Sequence, residues 1–585
     1  MAQDTQDRTM SAMAPPDPRE GPDGVDTPDT AVSDPEKAAA PMGPATDNND
    51  IERLGRQRPE LLRSAFAEFG FVTSIVLSMM MCEYFVSGFN IVLPAIAEAL
   101  HIPESVRTWP AGVPNLTTAA FLLPCARLSD QYGSRNVFLA GHLWLLVWSL
   151  VAGFSVSTEM MIACRALQGV GAAAFMPAGI SMFGQTYRPG PRKNLIFAIY
   201  GAFACIGFYF GIILGGIGAQ LLTWSWYFWI GAIFVAIVVV LGVTTIPTAL
   251  SQGSPEVTMD WLGATTIVSG VVLVVFALTD GGHAPNGWAT PYVYVTFLIG
   301  ALLLIVSVYI EGWVAKEPLV PPDLFKPKYM KRLCLALFLA YGVFGLFLFY
   351  ASFYIETVLN ATALQTAAWF TPMAVGGMIL AISGGLVMHL LSGRILLVIS
   401  GLGFTLCGLL FALIPERTPS PGAGDQLTPS IDFIYWAYIF SAMVAGTMGI
   451  DITFNVTNVF ITTAVPWRLQ ATAGAVINSL LYLGIAFWLG VAELAVATAN
   501  SGRAAAGDDE LPLRSQYQIG FWIGVALGGL ATVLFLTVNI GQAAAEMTAD
   551  EKLAQMAEEE QRHQQLVQTF SNAQAQERQR QQQKD

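Results

Sequence analysis

Charged side chains stand inside long apolar stretches of this 585-residue chain, where they could carry chemistry: Glu83, Arg165 and Asp451. A charge in such a stretch costs about 2.5–3.5 kcal/mol on membrane-insertion scales, so it normally has a function or a buried partner. A carboxyl group enclosed by apolar helices can exchange a proton near neutral pH. We therefore expect Glu83 first, and Asp451 second, to carry protons, with Arg165 modulating one of them. The alternative for each acid is a structural hydrogen bond to a neighbouring helix.

Uncharged side chains near these residues could line a cavity. Asn455 and Asn458 follow Asp451 at i+4 and i+7 and share its helix face, and Gln168 shares a face with Arg165. Aromatic side chains in two later stretches suit bulky apolar cargo, although packing against helices or lipid is the alternative for each. The aromatic candidates are Tyr341, Phe344, Trp369 and Phe370.

The turn after the second apolar stretch contains Asp130, Gly133 and Arg135. Gly133 permits a tight turn, and Asp130 could pair with Arg135 or cap a neighbouring helix. Such a contact could act as a lock that breaks and re-forms between two states. The alternative is an ordinary charged turn.

A later stretch carries Gly207, Gly211, Gly215 and Gly216. Glycines four residues apart let two helices approach closely, so helix packing explains this pattern by itself.

The elements that hold these residues must lie in lipid. The chain is 54% hydrophobic and 12% charged, against about 25% charged residues in soluble proteins. Runs of about 20 apolar residues, long enough to cross a bilayer, predict an all-α polytopic membrane protein with about fourteen transmembrane helices. With the N-terminus in the cytoplasm, most loop Lys and Arg residues fall on the inside, and an even helix count places both termini there.

The predicted organisation has five parts. Residues 1–65 form a disordered cytoplasmic tail and residues 66–246 a six-helix bundle. Residues 247–315 form two extra transmembrane helices, residues 316–541 a second six-helix bundle, and residues 542–585 a polar cytoplasmic tail.

Other chemistries lack their patterns in this sequence. It has no nucleotide-binding loop, zinc-ligand spacing or catalytic triad pattern, so we expect no enzyme, cofactor or metal site. The six cysteines lie in apolar stretches and are expected to pack as small apolar residues. Asn360-Ala361-Thr362 is a glycosylation candidate in an outside loop. We expect a monomer in the lipid bilayer that binds a small-molecule substrate and protons, and no nucleic acid.

Three of these patterns resemble motifs of the major facilitator superfamily. Leu128, Asp130, Gly133 and Arg135 match its loop motif Gly-x-Leu-Ala-Asp-Arg-x-Gly-Arg-Lys, whereas Ala126, Gln131 and Ser134 depart from it. The run from Arg165 to Gly171 matches Arg-x-x-Gln-Gly-x-Gly, whose arginine is implicated in proton coupling in the family. The four glycines resemble the antiporter motif Gly-x-x-x-Gly-Pro-x-x-Gly-Gly, with Ile212 in place of proline.

Fourteen spans are similar to the drug:proton antiporter branch, which includes fungal aminotriazole- and boron-tolerance exporters and secondary-metabolite efflux pumps. The resemblance implies the major facilitator fold and proton-coupled efflux of a drug, toxin or secondary metabolite by alternating access. It implies multidrug resistance and the plasma membrane, with the vacuolar membrane as the alternative. The missing proline at Ile212 leaves open uptake or facilitated diffusion of a nutrient. A transporter-like sensor is a further alternative.

Overall fold

The computed structural model describes residues 57–187, 191–254, 256–387, 391–416 and 429–540. Most of the predicted N-terminal tail, residues 1–56, and all of the predicted C-terminal tail, residues 542–585, lie outside the described residues.

Within the described ranges the chain forms fourteen long helical elements and no strand. They are α1 (Ala65–Ala99), α2 (Thr108–Tyr132), α3 (Ser134–Ala152), α4 (Thr158–Thr186), α5 (Pro191–Gln220), α6 (Ser225–Thr245), α7 (Trp261–Asp280), α8 (Pro291–Tyr309), α9 (Met330–Phe353), α10 (Ala363–Trp369 and Thr371–Val387), α11 (Gly393–Ala412), α12 (Ile431–Ile434 and Phe440–Ala464), α13 (Trp467–Ala506) and α14 (Leu513–Thr537). Short π-helical turns extend α8 through Ile310–Val314 and α9 through Tyr354–Val358, and a third, Tyr435–Ile439, joins the two parts of α12. The number of long helical elements agrees with the about fourteen transmembrane helices that the sequence predicts.

Thirteen of the described helices are long and apolar enough to cross a membrane. The remaining one, α2, is less apolar, and two of its polar side chains bond to its neighbour α4. Thr117 Oγ1 donates to the Ala166 carbonyl at 2.8 Å, and Thr118 Oγ1 donates to the Gly169 carbonyl at 3.0 Å. Because α2 packs against α4, α7 and α13, it needs less lipid-facing surface than the other helices.

Side-chain caps begin several helices where the sequence places Ser or Asp. Ser64 Oγ accepts the Ala67 N–H before α1, and Asp260 Oδ1 accepts the Gly263 N–H before α7. These acceptors satisfy backbone donors that the first turn of a helix leaves free.

The helices pack as two halves, α1–α6 and α9–α14, and an extra pair, α7 and α8. In the first half α5 packs along α1, α4 packs against α2 and α3, and α6 packs against α1 and α3. In the second half α9 packs against α13 and α14, and α11 packs against α12 and α14. The halves meet where α2 contacts α13 and where α5 contacts α10, while α7 contacts both α2 and α13. The predicted fold class is confirmed, and the predicted domain boundaries stay predictions.

We name the two ends of the helix bundle by residues in their connections. The Gly133 side carries the turn between α2 and α3, and the Asn360 side carries the connection between α9 and α10.

Candidate functional site

A carboxyl pair occupies the boundary between the two halves. Glu83 of α1 and Asp451 of α12 are close enough to interact electrostatically. Thr447 Oγ1 donates to Asp451 Oδ2 at 2.7 Å, and Cys205 Sγ of α5 donates to Asp451 Oδ1 at 3.5 Å. The Cys205–Asp451 hydrogen bond therefore joins the first half of the molecule to the second.

Glu83 differs from Asp451 in its partners. Its side chain is partly buried, and in the described part of the chain its carboxylate makes no hydrogen bond or ion pair. Three buried tyrosines surround it within electrostatic range: Tyr200, Tyr341 and Tyr482. A carboxylate among phenol groups, with no fixed partner, is free to bind a proton or a cationic ligand.

Sequence reasoning missed three of these neighbours, namely Tyr200, Cys205 and Tyr482. Tyr482 lies on α13, and its hydroxyl contacts Cys82 Sγ at 3.3 Å. Cys82 and Cys205 thus make polar contacts at the centre, in addition to the expected apolar packing. No signal in the sequence marks them, because each meets the acids across a helix interface.

Arg165 is 1% exposed in α4 and bonds to neutral groups. Its guanidinium donates to the Pro110 carbonyl at 3.2 Å, Gln168 Oε1 at 2.9 Å and the Phe85 carbonyl at 3.0 Å. It also lies 4.0 Å from the ring centroid of Phe89.

The Pro110 carbonyl is free for this contact because Pro114, one turn later in α2, has no N–H to donate. Arg165 thus ties α4 to α1 and α2, and Phe85 is two residues from Glu83. A role in proton coupling stays a prediction.

The predicted cavity residues separate into two groups. Tyr341 lies beside the acids, and Phe344 packs on Phe208 of the other half at 6.1 Å between ring centroids. Asn455 and Asn458 continue the Asp451 face of α12 towards the Gly133 side, partly buried and exposed respectively.

The second group lies elsewhere. Gln168 sits inside the first half, where its Nε2 donates to Ser149 Oγ at 3.0 Å. Phe370 is fully buried at the break in α10, and Trp369 packs 5.2 Å from the ring of Tyr435. Their predicted roles stay predictions.

The turn at Gly133 binds the connection between α6 and α7. Gly133 has φ +90°, and a Cβ there would stand 2.3 Å from the Ser251 carbonyl oxygen. Arg135 donates to the Val243 carbonyl at 3.1 Å and to Ser251 Oγ at 3.4 Å. Among the described residues, Arg135 bonds to the end of α6 and to this connection, it forms no ion pair with Asp130, and Asp130 is exposed. A role of this turn as a lock between two states stays a prediction.

The cation that does form an ion pair near this turn is Arg127. Its guanidinium bonds to Glu317, in the connection between α8 and α9, and donates to the Thr258 carbonyl at 3.1 Å. On the Gly133 side, the loop motif is thereby attached to the connection that precedes α7 and to the connection that follows α8.

The α5 glycines serve two interfaces. A Cβ at Gly207, Gly211 or Gly215 would lie 2.3–2.6 Å from a backbone oxygen of α1, whereas one at Gly216 would lie 3.0 Å from the Ala363 oxygen of α10. The α1 oxygens belong to Met80, Tyr84 and Gly88. The first three glycines pack α5 against α1 within one half, and Gly216 contacts the other half. Helix α5 runs unbroken through the buried Ile212.

The start of α1 is anchored to the start of α5 on the Gly133 side. Arg192 forms a bidentate ion pair with Glu68, in which Nε donates to Oε1 at 2.8 Å and Nη2 donates to Oε2 at 2.5 Å. Arg192 precedes the apolar part of α5, and its hydrogen bonds to Glu68 raise its pKa above the usual value. The Tyr187 hydroxyl donates to the same carboxylate at 3.1 Å.

Asn360 is exposed with φ +54°, on the Asn360 side. Thr362 Oγ1 accepts the Gln365 N–H at 3.2 Å and caps α10. Glycosylation of Asn360 stays a prediction.

Comparison with known proteins places this architecture among transporters. A family model described as the Major Facilitator Superfamily matches residues 74–489. The low affinity ammonium transporter of Saccharomyces cerevisiae is 29% identical over 74% of this chain and 80% of its own length. Efflux pump terJ of Aspergillus terreus is 26% identical over 83% of this chain and 91% of its own. The aminotriazole resistance protein of Saccharomyces cerevisiae is 25% identical over 82% of this chain and 85% of its own.

The fold has solved counterparts. A crystal structure of the peptide transporter POT in complex with sulfate matches with a TM-score of 0.55, over 83% of this chain and 97% of that chain. At 14% sequence identity this likeness concerns the fold alone.

Proposed function

Because the chain belongs to the major facilitator superfamily, as its motifs predict, we propose that this multi-pass membrane protein exports small molecules in exchange for protons. The observation that carries the proposal is the carboxyl pair at the boundary of the halves. Glu83 is close enough to Asp451 to interact electrostatically, and Asp451 is hydrogen-bonded to Cys205 of the opposite half. Transport by alternating access, rather than catalysis, is the function that this arrangement supports best.

Proton binding is coupled to the movement of the halves through the electrostatic repulsion between the two carboxylates. Two ionised carboxylates in a site of low dielectric constant repel each other, and a proton on either one removes that repulsion. The hydrogen bond between Cys205 and Asp451 must break when α5 and α12 separate. We expect the acids to take up a proton in one state and to release it in the other, where the cargo binds.

The proposed cargo is a drug, toxin or secondary metabolite. The support comes from two relatives that are named as an efflux pump and an aminotriazole resistance protein. The driving force is sufficient: a proton crossing about 100 mV yields roughly 2.3 kcal/mol, and each pH unit adds about 1.4 kcal/mol. With two pH units the total is about 5 kcal/mol, so one proton sustains a gradient of roughly a few thousand-fold in a neutral substrate.

We propose the plasma membrane as the location, with the vacuolar membrane as the alternative, and a monomer as the working unit. The excess of Lys and Arg in the loops of the Gly133 side supports a cytoplasmic position for that side and for both termini.

The test is transport of radiolabelled aminotriazole into proteoliposomes under an imposed pH gradient. We expect Glu83→Gln and Asp451→Asn to lose accumulation driven by the gradient. Exchange of labelled for unlabelled substrate, which needs no net proton movement, should be retained. Glu98→Gln, an exposed glutamate at the end of α1, is the matched control and should pump normally. Normal pumping by both variants would show that the acids do not couple transport to protons.

A second function is uptake or facilitated diffusion, and the ammonium transporter relative favours it. The absent proline at Ile212 agrees with this alternative. Radiolabelled methylammonium is the probe. Methylammonium entry that persists unchanged after an ionophore collapses the pH gradient would support diffusion, and entry abolished by the ionophore would support proton coupling.

A further inference from the structure

Two acidic side chains, Asp260 and Glu311, lie close together at the Gly133 end of the two extra helices. Asp260 caps α7, with Oδ1 accepting the Gly263 N–H at 2.9 Å. Glu311 lies in the π-helical turn after α8, and its Oε2 accepts the Val320 N–H at 3.0 Å. Each carboxylate therefore uses one oxygen to hold a backbone donor.

The other two oxygens are without hydrogen-bond partners. Asp260 Oδ2 and Glu311 Oε1 are buried from solvent, and neither has a hydrogen-bond partner in the described part of the chain. A Cβ added at Gly263 would stand 2.2 Å from the first oxygen and 2.5 Å from the second, so the two oxygens lie within 4.7 Å of each other. Glu311 is only 8% exposed, and Asp260 is close enough to it to interact electrostatically.

Two ionised carboxylates in this position repel each other, and each leaves a buried acceptor without a donor. A bound proton removes both the repulsion and the unpaired acceptors, because a protonated carboxyl group donates a hydrogen bond to its neighbour and lowers the negative charge of the pair. A divalent cation fits poorly, since it requires about six oxygen ligands, and the Gly263 backbone lies beside both oxygens. Among the described residues, no group of three or more His, Cys, Asp or Glu residues could hold a metal ion.

We propose that Asp260 and Glu311 form a proton-binding site, in which one proton is shared between Asp260 Oδ2 and Glu311 Oε1. Water supplies the proton, which forms an O–H bond to one carboxylate and a hydrogen bond to the other, and the pair changes from two negative charges to one. The site is separate from Glu83 and Asp451 and does not depend on their role in transport.

The charged groups around the pair link it to the loop motif. Arg127 of α2 is close enough to Glu311 to interact electrostatically. The same guanidinium bonds to Glu317, whose Oε2 accepts the Thr258 N–H two residues before Asp260. Loss of the shared proton adds a negative charge that competes with Glu317 for Arg127. Protonation therefore favours the arrangement in which the base of the extra helices is fixed to α2.

The experiment is an infrared pH titration of the full-length protein in lipid nanodiscs, which measures the C=O stretching band of protonated carboxyl groups. We expect Asp260→Asn and Glu311→Gln each to remove the same component of this band, equal to one proton. Glu98→Gln should leave the band unchanged. The component should persist in Glu83→Gln with Asp451→Asn, so failure of the transport proposal can be told apart from failure of this one.

Thermal unfolding gives a second measurement. The wild-type unfolding temperature should fall between mildly acidic and alkaline pH, as the proton leaves the pair. In Glu311→Gln the amide donates permanently to Asp260, so this part of the pH dependence should vanish. A band that is unchanged in both variants, or a pH dependence equal to that of the wild type, would overturn the proposal.

Discussion

Replacing Gly211 by alanine places a methyl carbon 2.6 Å from the Tyr84 carbonyl oxygen of α1. Ordinary van der Waals contact begins at about 3.4 Å, so α1 and α5 must separate by about 0.8 Å. A gap of 0.5–1 Å forfeits about a quarter to a half of the dispersion attraction across an interface. Overpacking of this kind costs about 1–3 kcal/mol, and the better helix propensity of alanine returns up to about 1 kcal/mol. We expect a net loss of about 1–2 kcal/mol.

The control lies on the same helix. A Cβ at Gly201 meets no described atom within 4 Å, so Gly201→Ala gains helix propensity without a clash. Unfolding temperatures measured in detergent at one scan rate should fall by a few degrees for Gly211→Ala and stay level or rise for Gly201→Ala.

The double variant Gly207→Ala, Gly211→Ala tests the mechanism itself. Because one separation of α1 and α5 relieves both clashes, the double variant should lose less stability than the two single variants together. A Gly211→Ala protein that unfolds at the wild-type temperature, or a Gly201→Ala protein that loses as much, would refute close helix packing as the role of these glycines.

Three further outcomes are expected. Gly216→Ala pushes against the Ala363 oxygen of the opposite half, so it should slow transport while leaving the unfolding temperature nearly unchanged; a wild-type transport rate would contradict this. In Arg165→Lys the charge is kept, but the single ammonium group cannot reach all three acceptors of the guanidinium. Because a buried acceptor is then left unpaired, thermal unfolding should show a loss of stability of about 1–3 kcal/mol. Glu68→Gln removes the charge opposite Arg192 and should lower the free energy of unfolding by about 1–3 kcal/mol. The same substitution should cost much less stability in an Arg192→Gln background, and equal losses in the two backgrounds would disprove the pairing.

The helices could be predicted because membrane spanning leaves a local signal, a run of about 20 apolar residues. Even α2, which is less apolar than the other described helices, is among the fourteen helices, and two of its polar side chains bond to α4. The superfamily was recognisable for a related reason. Its motifs lie within single helices or turns, so their spacing survives in the linear sequence.

The site was predictable only in part. Glu83 and Asp451 stand out because a charge is rare in an apolar run. Their partner Cys205 does not, because it meets Asp451 only when α5 and α12 come together. Arg165 was identified, but two of its three acceptors are backbone carbonyls, which the side-chain sequence does not encode. Arg135 shows the same limit, since the connection that takes it lies more than a hundred residues along the chain.

The extra helices are attached to both halves, and these attachments limit the movement of one half against the other. On the Asn360 side the pair is tied to the second half: a Cβ at Gly490 of α13 would stand 2.5 Å from Thr279 Oγ1 of α7, and His283 Nε2 lies 2.7 Å from Glu493 Oε1 of α13. On the Gly133 side it is tied to the first half, through the ion pair of Arg127 with Glu317.

A rigid pair fixed to different halves at its two ends resists any movement of α2 against α13. One attachment must therefore release if the halves rock as proposed. Arg127 and Glu317 are 22% and 41% exposed, and ion pairs exposed to water contribute only about 0–1 kcal/mol. The attachment to α13 combines close backbone packing with a more buried pair, in which Glu493 is 10% exposed. The contact of Arg127 is thus the weaker one, and the Gly133 side is where the extra helices should detach first.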